Sequence, residues 1–322
     1  MQLQAVNGRP DARKVAVGAF SYHGPQATSL GSGSPLPSLK PRAQLHFPVP
    51  ALFNKLEHES DAMFHGRMLS DYDAFLDDNA HDIGVLLVEP QWGSSVAAQP
   101  WPADLIREYI ERAQSRGILV CCDEIMCGLG RHGQGPGLFL SDHRNWDLRP
   151  DAVTFGKAIG AGVYPMSGAI VRRGARALGA EGRSVLQSHT YSGASTRALM
   201  AGQAVLEELP KWLPHVSAMD AVCREIFDEV EIASGGMVTC QGQGLMWGGV
   251  FDDPEPERRQ AAAAIFKRHC VGDGGVWPYF VPVGGFMVTP PMDTAEADLR
   301  EMGRRLCVAM AATADETQGF TG

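Results

Sequence analysis

Residues 117–133 read GILVCCDEIMCGLGRHG and residues 149–173 read RPDAVTFGKAIGAGVYPMSGAIVRR. The apolar run Ile118 to Cys122 ends on two carboxylates, Asp123 and Glu124. A second run, Ala152 to Phe155, ends on Gly156-Lys157, and a third, Ser167 to Arg172, follows a glycine-rich turn. Short apolar runs bounded by turn residues read as buried parallel strands. In open α/β sheets the groups at the C-terminal ends of such strands face the crevice where ligands bind. Asp123 and Lys157 are therefore expected at one site, delivered from neighbouring strands.

A carboxylate and a lysine so placed suit one chemistry. A lysine amine forms a Schiff base with an aldehyde cofactor, and a carboxylate keeps a pyridine nitrogen protonated so that the ring draws electrons. The parts stand in a familiar order: Asp123-Glu124-Ile125, then Gly128-Leu129-Gly130-Arg131-His132-Gly133, then Pro150-Asp151, then Gly156-Lys157 with Gly160-Ala161-Gly162. The stretch resembles the class III pyridoxal-phosphate aminotransferases, and the likeness runs through most of the chain. The resemblance implies an α/β protein of the type I pyridoxal-phosphate transferase fold. It would have a large cofactor domain over residues 1–210, with a mostly parallel sheet flanked by helices, and a smaller α+β domain over residues 211–322. It also implies pyridoxal 5'-phosphate as cofactor, small amine and keto-acid or aldehyde substrates, and a homodimer with shared sites.

The same resemblance assigns further residues. Lys157 carries the Schiff base and Asp123 holds the pyridinium, with Ile125 beside it. Tyr22, in Ser21-Tyr22-His23-Gly24, matches the aromatic that lies flat on the cofactor ring, although a tyrosine capping the sheet edge reads the same way. His23 follows it as a site candidate or an ordinary loop histidine. Glu89, ending Asp82–Glu89 (DIGVLLVE), matches a V-E-P motif and reads equally as a substrate-side contact or a structural ion-pair partner. Thr190, in Ser188-His189-Thr190-Tyr191-Ser192-Gly193, matches a residue that binds the cofactor phosphate of the other subunit.

Composition sets outer bounds. The chain has 322 residues, 44% hydrophobic and 20% charged, with a net charge of −9 and no basic block, which speaks against nucleic acid or an acidic membrane as partner. No apolar run reaches the ~18 residues that a membrane span needs. Seven cysteines without metal-ligand spacing read as reduced core thiols, and hence as a cytoplasmic protein. Met1 to Ala5 reads as the middle of a helix, and the resemblance places a glycine- and serine-rich phosphate-binding turn ahead of Met1. The family's N-terminal segment is accordingly expected to be missing.

Outward from the central stretch, Lys14 to Phe20 is expected as a first strand, Ser29 to Pro50 as a long loop, and Leu69 to Asn79 and Pro102 to Arg116 as helices. Helices over Ser195–Leu209 and Val216–Val230 are separated by prolines. Strand pieces are expected within Met237–Phe251 and at Phe286–Val288, before a last helix. The Gly128-x-Gly130-x-x-Gly133 spacing imitates a dinucleotide fingerprint, but Gly135-Pro136-Gly137 follows where a helix would have to open. Two departures from the family bear on function. Met126 stands where many members carry a polar residue near the ring hydroxyl, and Met287 where α-amino-acid-specific members place an arginine; none occurs from Val271 to Pro291. The readings that remain are a transaminase, an aminomutase of the same fold, or a degenerate member kept for binding.

Overall fold

The computed structural model describes residues 8–9, 11–24, 44–143, 145–172, 195–272 and 275–317. They form two compact units: residues 1–90, 101–129 and 138–208 group as the first, and residues 91–100, 130–137 and 209–322 as the second.

The first unit is built on a six-stranded sheet in the order β2-β1-β3-β4-β5-β6, with β1 Lys14–Gly18, β2 Gln44–Phe47, β3 Ile83–Val88, β4 Leu119–Asp123, β5 Ala152–Phe155 and β6 Gly168–Val171. The first five are parallel. The near-continuous apolar runs of β3 and β4 follow from burial on both faces of a parallel sheet. β6 departs from the expected buried parallel strand: it pairs antiparallel with β5, and its middle residues are exposed. β2 lies inside the stretch expected to be all loop.

Two helices cover this sheet. α1 (Asp61–Asn79) begins eight residues earlier than its apolar stripe suggested, because Ser60 Oγ caps it by accepting from Met63 N at 3.3 Å and Phe64 and Met68 extend its buried face. α2 (Ala103–Ser115) buries Leu105, Ile106, Tyr109, Ile110 and Ala113, the expected face, and Gly117 at φ 74° follows its end. Tyr72 of α1 and Tyr109 of α2 stack with ring centroids 3.9 Å apart, and each hydroxyl donates to a main-chain carbonyl: Tyr72 to Tyr109 and Tyr109 to Met68. Both rings are buried beside Phe47 of β2, so aromatic area and satisfied hydroxyls hold the layer to the sheet.

α3 (Thr196–Ala233) is one helix rather than two, with Pro210 and Pro214 inside it. Each proline removes a helix hydrogen bond, but Leu209, Leu213, Val216, Cys223 and Phe227 are buried along the segment and offset that cost. Through Glu208 it belongs with the first unit and from Leu209 with the second.

The second unit has an antiparallel sheet in the order β7-β8-β10-β9: β7 Val238–Gln243, β8 Met246–Phe251, β9 Tyr279–Val281 and β10 Gly285–Val288. α4 (Pro256–Val271), which the sequence reading left unassigned, and α5 (Glu296–Thr317) accompany it. Its core gathers Phe227, Trp247, Phe251, Phe266, Phe286 and Leu306. The glycine-rich segment 130–137 belongs to this unit, not to the cofactor-domain stretch in which the sequence sets it. Arg131 Nη1 donates to Leu245 O at 3.2 Å and Pro290 O at 2.7 Å, and a Cβ on Gly133 would stand 2.9 Å from Gly244 Cα. After β4 the backbone runs through turns rather than a helix, so the context that a dinucleotide fingerprint requires is absent among the described residues. All seven cysteines are free, five of them buried. Burial pushes the Cys121 thiol up to about 12 and holds the Cys122 thiol well above its ordinary value.

Candidate active site

Four neighbouring parallel strands, β1, β3, β4 and β5, end on the same edge of the first unit's sheet. Their C-terminal ends carry Tyr22 and His23, Glu89, Asp123 and Lys157 respectively. The parallel arrangement makes this convergence unavoidable.

Asp123 is the centre of the array. Its side chain is 12% exposed and that of His23 only 2%. Asp123 Oδ2 lies 2.8 Å from His23 Nδ1, and Oδ1 accepts from Ile125 N at 3.1 Å and from Thr154 Oγ1 at 3.2 Å. Thr154 is the register partner of Asp123 across the β4–β5 pair. Burial by itself would raise the carboxyl's pKa; the hydrogen bond and charge of His23, then Ile125 N and Thr154, outweigh it and hold the group below the ordinary aspartate value. The carboxylate is therefore an anion in a largely dry setting. A carboxylate offers about four lone-pair sites. Among the described residues, His23, Ile125 and Thr154 take three, which leaves one on Oδ2.

Tyr22 is 44% exposed, and its main-chain N–H donates to Glu89 Oε1 at 3.3 Å. Glu89 is itself buried, so its carboxylate fixes the end of β1 relative to the end of β3. Ile125 Cγ2 lies 3.5 Å from where a Cβ on Gly156 would stand, which sets Ile125 beside the residue preceding Lys157.

Lys157 follows β5 at φ 47°, a left-handed conformation that a lysine adopts only where the surroundings impose it. It opens a short 3₁₀ turn, Lys157–Gly160, that ends on Ala161, also left-handed. Its side chain is exposed to a cleft of ≈ 570 Å³ lined, among the described residues, by Gly162, Tyr164, Pro165, Met166 and Ser167. The helix α3 closes up behind this wall, where a Cβ on Gly202 would stand 2.7 Å from Met166 Sδ.

The structure thus brings Tyr22, His23, Glu89, Asp123, Ile125 and Lys157 to one sheet edge. Thr190 lies outside the described residues. Sequence reasoning missed Thr154, whose signal was a lone hydroxyl in an apolar strand, and Tyr164 and Ser167 in the turn after Lys157. It also left Glu124 without a role. Glu124 is buried and accepts from Leu140 N at 2.7 Å, from Ser141 N at 2.8 Å and from the Ser141 hydroxyl. Burial, against those hydrogen bonds, pushes its carboxyl up to about 7. It anchors the return of the chain after the 130–137 excursion and does not join the array around Asp123.

The family description aminotransferase class-III matches residues 2–304. This chain is a member of the class-III aminotransferase family. An uncharacterized aminotransferase YodT of Bacillus subtilis is 29% identical over 201 residues, 60% of this chain and 43% of its own length. An acetylornithine aminotransferase of Corynebacterium efficiens is 26% identical, covering 71% of this chain and 52% of its own length. A vanillin aminotransferase of Capsicum frutescens is 29% identical over 51% of this chain and 36% of its own length. The chain spans about half the length, or less, of these curated relatives. Among solved structures, a transaminase with L-ala superposes with a TM-score of 0.81 at 20% identity, covering 100% of this chain and 77% of that one. An amine transaminase from an uncultivated Pseudomonas species in its PLP-bound form gives 0.79 at 21% identity, covering 96% and 72%. The fold is that of these type I transaminases, and class-III aminotransferases use pyridoxal 5'-phosphate. No helix among the described residues is long and apolar enough to cross a membrane.

Proposed function

We propose that this chain is a pyridoxal-phosphate-dependent aminotransferase that moves an amino group from an amine or amino-acid donor to a keto or aldehyde acceptor. The observation that carries the reading is the anionic Asp123 carboxylate, held among the described residues by three donors with one Oδ2 lone pair left, on the strand next to the one that delivers Lys157. That donor set suits a protonated pyridine nitrogen, so the residues present fit the cofactor.

When bound, the cofactor supplies an aldehyde and an electron-withdrawing ring. Asp123 Oδ2 would accept the ring N–H and keep it protonated. Tyr22, half-exposed at the end of β1, would lie against the ring face. Lys157 Nζ would hold the cofactor covalently and, once displaced by a substrate amine, carry the proton between donor and acceptor positions. Ile125 would pack against the ring, and Glu89 would keep the Tyr22 turn in place through the Tyr22 N–H. A homodimer in which Thr190 binds the other subunit's cofactor phosphate belongs to the same proposal. The lack of arginine from Val271 to Pro291 favours donors without an α-carboxylate to grip.

The test is borohydride reduction of protein incubated with pyridoxal 5'-phosphate, followed by peptide mass mapping. The cofactor's mass on the Lys157 peptide, lost in Lys157→Ala, is the expected result. Labelling that persists in Lys157→Ala, or no labelling of the wild type, rejects the assignment.

A further inference from the structure

We propose that Phe20 is a specificity-determining residue whose ring, with that of Phe53, carries the apolar body of the donor amine, a role resting on the reading of the site given above. Backbone and side chain are in conflict at this residue. Ser21 N donates to Gly18 O at 3.1 Å and closes a four-residue turn at the end of β1. Phe20 is the third residue of that turn, at φ 69°. Positive φ at this place suits glycine or asparagine and strains a bulky side chain. Among the described residues, Phe20 is the one aromatic residue with positive φ. Burial does not offset the strain. The Phe53 ring meets Phe20 edge-on at 5.2 Å and 77°, yet Phe20 stays 42% exposed. Glycine would close the same turn without strain, and a core phenylalanine would be covered. Strained residues held in place by their surroundings cluster where ligands bind.

The position of the ring points to the ligand. Ser21 is 1% exposed, while Phe20 and Tyr22 on either side of it are both nearly half-exposed. With Ser21 turned inward, the two rings stand on the solvent side of one short segment. Tyr22 is the residue assigned to the cofactor ring, so Phe20 flanks the space that a bound donor occupies. Phe53 is fixed in advance. Its 3₁₀ turn, Leu52–Asn54, is held by Arg67, whose Nη2 donates to Asn54 O at 2.9 Å and whose Nε donates to the buried Glu59 at 2.6 Å. Glu59 also accepts from Leu56 N at 2.9 Å, just beyond that turn. A surface set before its ligand arrives loses little freedom on binding. Two uncharged rings recognise apolar area and ring edges rather than charge. Together with the lack of arginine from Val271 to Pro291, they select amines whose non-reacting substituent is aromatic.

The experiment uses the full-length protein incubated with pyridoxal 5'-phosphate. 1-Phenylethanol has the body of an arylalkyl amine but no amino group, so its binding reports the surface without turnover. Phe20→Gly removes the ring and relieves the turn, so its thermal midpoint is expected to hold or rise. Its dissociation constant for 1-phenylethanol, from NMR titration, is expected to rise about three- to tenfold, the size of one aromatic contact. The ratio of kcat/KM for 1-phenylethylamine to that for isopropylamine is expected to fall by a similar factor, through KM. Phe20→Asn, which also tolerates the left-handed turn, is expected to match it. Unchanged alcohol binding and an unchanged ratio in both variants overturn the role and leave the proposed function standing. Weaker self-association in sedimentation, with the ratio unchanged, assigns the ring to an interface between copies and overturns the role as well. Failure of Lys157 labelling rejects the proposed function instead, and the alcohol titration then decides the apolar surface by itself.

Discussion

Asp123 and Glu124 are consecutive residues with carboxylates in opposite electrostatic states. Asp123 is held below the ordinary aspartate value by His23, Ile125 and Thr154, whereas burial pushes Glu124 up to about 7. The two share an address in the sequence and divide the work by partner: one is set toward the sheet edge where the candidate site lies, and the other is enclosed by Leu140 and Ser141. This difference predicts how stability depends on pH. The folded-state value of Glu124 lies above the ordinary glutamate value of 4.5, so the fold binds this proton more tightly than the unfolded chain does. Its stabilisation is complete below about 4.5 and declines as pH rises toward about 7, by at most about 1.4 kcal/mol per unit. Glu124→Gln removes that dependence and, by setting an amide nitrogen against one of three donors, costs about 1–3 kcal/mol. Urea midpoints of the two proteins should therefore differ more at pH 5 than at pH 8. A gap of constant size across that range would reject the account.

Thr154 is the residue through which Asp123 can be tuned without being removed. Thr154→Val keeps shape and deletes the hydroxyl that donates to Asp123 Oδ1 at 3.2 Å. A loss of about 1 kcal/mol in stability and a several-fold loss in pyridoxal 5'-phosphate affinity are expected, with Lys157 still labelled on reduction. Asp123→Asn should abolish measurable cofactor binding. The stability that Asp123 contributes has the opposite pH sense from that of Glu124. Its folded value is depressed, so the contribution is present above the ordinary aspartate value of 3.8 and is lost as pH falls through the folded one. Cofactor titrations monitored by absorbance separate the two variants, and equal affinity in Thr154→Val and wild type would show that the hydroxyl does not shape the anion.

Much of this was legible in the sequence because burial writes itself into composition. The runs of β3 and β4 and the buried stripe of α2 could be read directly, and Asp123 and Lys157 followed from the ends of their strands. The direction of β6 was open to reading but was missed: parallel pairing needs a crossover connection, usually a helix, whereas the stretch between β5 and β6 folds as turns. β2 hid inside a serine- and proline-rich segment. α4 hid because its buried residues, Ala263, Ile265, Phe266 and Cys270, make no strong stripe among alanines. The contact between His23 and Asp123 joins residues 100 apart in the chain, and no local pattern encodes it. The membership of residues 91–100 and 130–137 in the second unit is of the same kind, since adjacency in sequence set them with the first.

The backbone at Lys157 offers a prediction that separates activity from stability. At φ 47° this lysine occupies a conformation that glycine adopts without steric cost. Lys157→Gly should hold or raise the thermal midpoint, by up to about 1 kcal/mol in stability, while eliminating transamination and covalent labelling. A clear fall in stability would mean that the lysine side chain contributes packing that outweighs its strained backbone.

The last prediction concerns the hairpin between β7 and β8, where three demands fall on one residue. Gly244 lies at φ 60°, and a Cβ there would stand 2.1 Å from Arg131 O, 2.5 Å from His132 C and 2.7 Å from Gly133 N. All three are main-chain atoms, so no rotamer change relieves the overlap. The same turn donates Gly244 N–H to Asp220 Oδ1 at 2.6 Å and receives the Trp247 indole N–H at 3.0 Å on its carbonyl. Gly244→Ala must therefore separate the hairpin from residues 131–133, strain a left-handed turn and disturb a buried tryptophan at once. A loss of about 3 kcal/mol or more is expected. Gly236→Ala serves as the control, because that glycine also has positive φ, at 87°, but nothing lies within 4 Å of the added carbon. Its cost should be limited to backbone strain, about 1 kcal/mol. Chemical denaturation of both variants gives the comparison directly. Equal losses would show that the approach of segment 131–133 to the hairpin is not what requires glycine at 244.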